Sequence, residues 1–167
     1  MAAPRPFRVA VLTISDLGAQ GKRRDSSGPA VVAMLQDAGF ETVGPEILPD
    51  ERARIAVRLR ELAGTVDAVL TTGGTGFGPR DVTPEATLEV CDRLAPGLAE
   101  LMRSQSAALT PNAWLSRAVA GIRQNTLILN LPGSPRGAQE TLALVVPLLS
   151  HAMTLLRGET AHGTGSS

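Results

Sequence analysis

The chain has 167 residues, a length that predicts a single domain with an ordinary hydrophobic core, because a globule of this size buries roughly 70% of the surface its unfolded chain exposes. Hydrophobic residues make up 43% and charged residues 19%, which excludes a disordered chain. Sixteen basic residues balance sixteen acidic ones, and three Phe with one Trp are the whole aromatic complement, a composition that argues against a nucleic-acid partner.

Cys91 is the sole cysteine, which excludes an internal disulfide and a cysteine metal cluster. The two histidines, His151 and His162, are too few and too separated for a histidine zinc site. The first residues, MAAPRPFRVAVLTIS, lack the features of a secretory leader. The apolar stretches read as shorter than the ~18 residues of a membrane span. A cytoplasmic protein with no membrane partner is the expectation.

In chain order, Phe7–Ile14 reads as a buried strand feeding a loop at Ser15-Asp16. A polar loop follows over Leu17–Gly28, then a helix begun by Pro29 and stopped by Gly39. A second strand covers about Glu41–Leu48, and Asp50 stands where the N-cap of the next helix belongs. The third strand, Ala68–Thr72, runs into Gly73–Asp81, with Thr83-Pro84 as cap and first-turn pair of the helix EATLEV. Pro96 starts a helix to about Ala108, and Arg117–Arg123 with Thr126–Leu131 form an antiparallel hairpin if they pair directly. Pro135–Arg157 is a final helix with an apolar stripe from Leu142 to Leu156 and a kink expected at Pro147. Residues 7–157 thus form one domain, with 1–6 and 158–167 as flexible termini.

Strands alternating with helices predict a three-layer α/β/α sandwich with a mostly parallel mixed sheet. The early strands read as buried on both faces. In such sheets ligands bind beyond the carboxyl ends of the strands, where the strand order reverses. The loops leaving those ends are Ser15-Asp16, Pro49-Asp50, Gly73–Asp81 and Pro132–Ser134.

Within them, Thr71-Thr72-Gly73-Gly74-Thr75-Gly76 could bring backbone N–H groups against an anion. It is neither a Walker A loop nor a dinucleotide fingerprint, since the only lysine, Lys22, precedes Arg23 and position 79 is Pro79. Asp81 could hold Mg²⁺ or make an Asx turn, and Asp50 could do the same chemistry or merely cap a helix. Ser134, in Pro132-Gly133-Ser134, could cap the last helix or donate to a phosphate. Ser15 and Asp16 divide between turn chemistry and ligand contact. Arg80, Arg117 and Arg136 could neutralise phosphate, His151 reads as structural, and Cys91 as a small buried hydrophobe in a helix.

Taken together, Ser15-Asp16, TTGGTG at 71–76, RDVTPEAT at 80–87, SRAVAGI at 116–122 and NLPGSP at 130–135 resemble the MogA/MoaB family of molybdenum-cofactor biosynthesis. The resemblance spans Phe7 to about Arg157. It implies the molybdopterin-binding fold, usually assembled as a homotrimer. It also implies adenylyl transfer, in which molybdopterin and MgATP give adenylated molybdopterin and pyrophosphate. Asp50 and Asp81 then correspond to the functional carboxylates that hold Mg²⁺. Ser15, Asp16, Thr72, Gly73, Gly74, Thr75, Gly76, Pro132, Gly133 and Ser134 correspond to substrate-binding positions. The alternative is a non-catalytic molybdopterin-binding or carrier protein of the same pathway, assembling with its other proteins.

Overall fold

The computed structural model describes residues 4–159. The expected frayed ends therefore fall in part on residues outside the described ones, as does His162. Six strands form one sheet in the order β2-β1-β3-β6-β5-β4: β1 Arg8–Ile14, β2 Glu41–Leu48, β3 Ala68–Thr72, β4 Arg93–Leu94, β5 Ala120–Arg123 and β6 Thr126–Leu131. β2, β1, β3 and β6 pair in parallel, whereas β5 and β4 run antiparallel at one side. The helices are α1 Asp16–Ala19, α2 Ser27–Asp37, α3 Arg52–Leu62, α4 Thr83–Val90, α5 Pro96–Ala107 and α6 Pro135–Leu156.

Side chains alternate across a strand, and the two cores follow that alternation. Val9 and Val11 of β1, Ala68 and Leu70 of β3, and Leu127, Leu129 and Leu131 of β6 pack with α2, α5 and α6. Ala10, Leu12 and Ile14, with Val69 and Ile128, pack with α3 and α4. The result is the expected three-layer sandwich with a mostly parallel mixed sheet.

Several local expectations need correction. β1 and β3 are buried on both faces, but β2 is an edge strand with only Leu48 buried. It pairs with β1 alone, and Pro45 at its centre has no N–H to offer a second neighbour. The 17–28 loop contains the one-turn helix α1, and α2 begins at Ser27. β5 starts at Ala120, since Arg117 is committed elsewhere. β4 and the 3₁₀ turn Pro111–Leu115 are elements that the sequence reading lacks. α6 runs unbroken through Pro147 and is long and apolar enough, by length and composition, to cross a membrane. Its buried stripe of Ala138, Leu142, Val145, Leu149 and Met153 instead packs into the core. His151 lies on the exposed side of that helix. Cys91 is the residue that ends α4, half-buried beside the second core, and burial pushes its thiol up to about 11.

Candidate active site

The parallel strands β2, β1, β3 and β6 end on one rim, and the strand order reverses between β1 and β3. Gly73 and Gly74 follow β3 with φ of +101° and +66°, a region that favours glycine. A Cβ on Gly73 would lie 2.3 Å from the Ile14 carbonyl oxygen, and one on Gly74 would lie 2.3 Å from Thr83 Oγ1. Two glycines therefore let the chain pass between β1 and α4 without a side chain. Thr72 Oγ1 donates to the Pro132 carbonyl at 2.8 Å and the Gly73 N–H to the Leu131 carbonyl at 3.2 Å, fixing this loop to the one after β6. Thr83 is not an N-cap: it lies inside α4, and its hydroxyl donates to the Gly73 carbonyl at 2.9 Å. Among the described residues, the N–H groups of Gly74, Thr75 and Gly76 have no hydrogen-bond acceptor.

Asp50 does not cap α3, a place taken by Glu51, whose side chain makes no cap bond. Instead its Oδ2 accepts the Asp16 N–H at 2.8 Å, and its own N–H donates to Asp16 Oδ1 at 3.0 Å. The loops after β1 and β2 are thereby locked to each other. Burial pushes the Asp50 carboxyl above the ordinary value, and the charges of Asp16 and Asp81 push the same way. Asp81 Oδ2 accepts the Gly78 N–H at 2.9 Å, closing a tight turn. Each carboxylate thus keeps one oxygen, Asp50 Oδ1 and Asp81 Oδ1, free of hydrogen bonds within the described residues.

A cavity of about 530 Å³ opens on the rim, and Ser15, Asp50, Thr72, Gly73, Gly74, Asp81, Gly133 and Ser134 line it. Ser15 Oγ and Ser134 Oγ accept the N–H groups of Gly18 and Gly137 at 3.0 and 3.1 Å, so both serine hydroxyls act as helix caps at the cavity edge. Asp16 is not part of this lining. Arg80 donates to its carboxylate through two nitrogens, both at 2.9 Å, and these bonds hold Asp16 below the ordinary carboxylate range. Thr75, Gly76 and Pro132 face a second cavity of about 300 Å³, which Ser134 also borders and which Ala99, Met102 and Leu115 make largely apolar.

Each of the three arginines that could neutralise phosphate is already engaged by another group. Arg80 is paired with Asp16, Arg117 with loop carbonyls and Glu85, and Arg136 with Glu140 on the surface. Arg23 and Arg24 line the rim cavity instead, with no ion-pair partner among the described residues. Asp25 holds their loop: its Oδ2 accepts the Thr13 hydroxyl at 2.7 Å and its Oδ1 the Gly28 N–H at 3.0 Å. The available signal was positional, because this loop leaves the same rim and ends just before α2.

Beyond the ends of the parallel strands of this α/β protein, the rim cavity gathers the unpaired Gly74 amide, two part-free carboxylates and two cations, groups whose chemistry suits polyanionic ligands. Residues 10–151 match the family model described as "Probable molybdopterin binding domain". The chain is 41% identical over 156 residues to a molybdopterin adenylyltransferase of Helicobacter pylori, covering 91% of this chain and 89% of that one. It is 46% identical over 141 residues to the enzyme of the same name from Escherichia coli K12, covering 81% and 72%. The solved structure of the molybdopterin biosynthesis enzyme MoaB from Thermus thermophilus superposes with a TM-score of 0.86 at 52% identity, covering 91% of this chain and 97% of that one. The chain belongs to the MogA/MoaB family of molybdenum-cofactor biosynthesis, and it is an enzyme of that family.

Proposed function

We propose that this enzyme transfers AMP from MgATP to the terminal phosphate of molybdopterin and releases pyrophosphate. The single observation that carries the reading is that Asp50 and Asp81, from separate loops, line one cavity with the glycine segment after β3. The names of the curated relatives point to the same reaction.

The donor set suits Mg²⁺. That ion takes one or two protein carboxylates and completes its shell with phosphate oxygens and water, and Asp50 Oδ1 and Asp81 Oδ1 are the two protein oxygens left over. Among the described residues, no group of three or more His, Cys, Asp or Glu could form a closed cage. When bound, the ion would neutralise phosphate charge.

Everything else falls to the chain's own groups. The free N–H group of Gly74 and the N-terminus of α6 offer donors to phosphate oxygens. Arg23 and Arg24 reduce the repulsion between two anionic substrates. An oxygen of the molybdopterin phosphate attacks the α-phosphorus of ATP, the bond from that phosphorus to the β-bridging oxygen breaks, and pyrophosphate leaves with the electron pair. The attacking oxygen is already ionised, so no protein base is required, and the lack of histidine on the rim among the described residues is no obstacle. The protein's part is positioning and charge neutralisation.

Incubating the pure protein with molybdopterin and MgATP tests this reading. Equal amounts of pyrophosphate and adenylated molybdopterin are the expected result. Molybdopterin binding without pyrophosphate would make the chain a carrier instead. We further infer a homotrimer and a cytoplasmic location. Phe77, Leu109 and Trp114, exposed to 70%, 71% and 61%, are apolar side chains such an assembly could cover. A monomer mass by light scattering would contradict the trimer.

A further inference from the structure

The segment 116–122 supplies the side chain most extensively bonded to the rim. The backbone N–H of Arg117 donates to the Thr75 carbonyl at 2.8 Å. Its Nε donates to the Gly76 carbonyl at 2.7 Å and its Nη2 to the Asp81 carbonyl at 2.8 Å. Its Nη1 bonds Glu85 in the first turn of α4. One planar group therefore ties both ends of the 76–81 loop to the helix that follows.

Between those two carbonyls the loop carries Gly78, and Gly76 itself stands at the loop's first end. Glycine gives a backbone little intrinsic preference for one path. Within the loop itself, the Gly78 N–H to Asp81 Oδ2 and Asp81 N–H to Gly78 carbonyl bonds close the turn at 2.9 and 3.0 Å, but neither ties the turn to the rest of the chain. The guanidinium supplies that tie, because it grips the main chain on both sides of the turn.

We propose that Arg117 is a positioning residue for the reaction: by bridging the carbonyls of Gly76 and Asp81, it sets the direction in which the Asp81 carboxylate faces the rim cavity. Its charge is balanced by Glu85, so it acts through the loop and not on a phosphate. Lysine cannot reproduce this. Its ammonium is a point donor on a flexible stem, whereas the guanidinium presents donors in a fixed plane that reach three acceptors at once. The kinetic meaning of the brace rests on the adenylyl-transfer reading, but its mechanical content does not.

Arg117→Lys is the informative variant, since it keeps the charge and removes the fork; Arg117→Ala serves as the harsher companion. In ligand-free protein, hydrogen–deuterium exchange of the Gly78, Asp81 and Thr83 amides is expected to accelerate about tenfold or more, with the amides of β1, β3 and β6 unchanged. Mn²⁺ binding in the presence of ATP, followed by electron paramagnetic resonance, is expected to weaken about 10- to 100-fold, the usual effect of removing a group that orients a metal ligand. Guanidinium added to Arg117→Ala should recover part of that affinity. Unchanged exchange in the loop would overturn the proposal. So would a loosened loop with unaltered Mn²⁺ affinity, which would make Arg117 a stabilising residue only. If the native protein binds Mn²⁺ and ATP but releases no pyrophosphate with molybdopterin, the adenylyl reading fails while these two measurements still decide the brace.

Discussion

Asn130 joins three elements beneath the rim, and replacing it with leucine isolates the contribution of that junction. It is fully buried on β6. Its Nδ2 donates to Thr71 Oγ1 of β3 at 3.0 Å and to Thr87 Oγ1 of α4 at 2.9 Å, while its Oδ1 accepts the Val119 N–H at 3.0 Å. Leucine has the same number and branching of side-chain heavy atoms but bulkier ends, so Asn130→Leu opens no cavity and the main cost is polar. Each bond is worth about 1 kcal/mol net, and a buried N–H left without an acceptor costs about 1–3 kcal/mol, so the expected loss is about 4 kcal/mol of the ~5–15 kcal/mol typical of a domain. At roughly 2–4 °C per kcal/mol for a chain of this length, Tm should fall by about 12 °C. Urea unfolding followed by circular dichroism should show a lower midpoint with an unchanged slope, because the surface exposed on unfolding is the same. A loss below about 1 kcal/mol would refute the view that this junction is fully desolvated and bonded.

Two other sites give independent checks. Burial alone would raise the Asp67 carboxyl, but hydrogen bonds from Arg157 and the Arg8 N–H outweigh it and hold it below the ordinary value. The unfolded chain then binds more protons in the window between the folded value and the unfolded one of about 3.9, so this stabilisation is complete above that window and is lost as pH falls through it. Urea midpoints measured from about pH 2 to pH 6 should fall less steeply with acid in Asp67→Asn than in the native protein, and parallel curves would contradict the assignment. The Cys91 thiol, pushed up to about 11 by burial, should react with iodoacetamide about tenfold or more slowly in the folded protein than in urea at pH 8, and equal rates would show that it is not shielded.

How much of this was legible in the sequence depended on whether the signal was local. The strand read at Phe7–Ile14 and the helix begun by Pro96 follow from a β-branched run and an N-terminal proline, which act over a few residues. The convergence of loops follows from the parallel sheet, a rule of topology that needs only the element order. What failed was partner choice between distant segments. Asp50 stands where a helix cap belongs, yet the Asp16 N–H, 34 positions away, claims its oxygen. Thr83 looks like a cap and bonds Gly73 instead, because the close pass of Gly73 and Gly74 against α4 brings that carbonyl within reach. Arg80 and Arg117 were plausible phosphate ligands until Asp16 and the loop carbonyls were seen to occupy them. Arg23 and Arg24 gave no local signal, since a charged pair in a polar loop is usually a solvated surface.

The most direct test of the account is pyrophosphate release from molybdopterin and ATP by Asp81→Asn as Mg²⁺ is varied. If Asp50 and Asp81 together hold a divalent ion against the reacting phosphates, release should fall about 100-fold or more and need higher Mg²⁺ for half-maximal rate. Full release with the native Mg²⁺ dependence would contradict it.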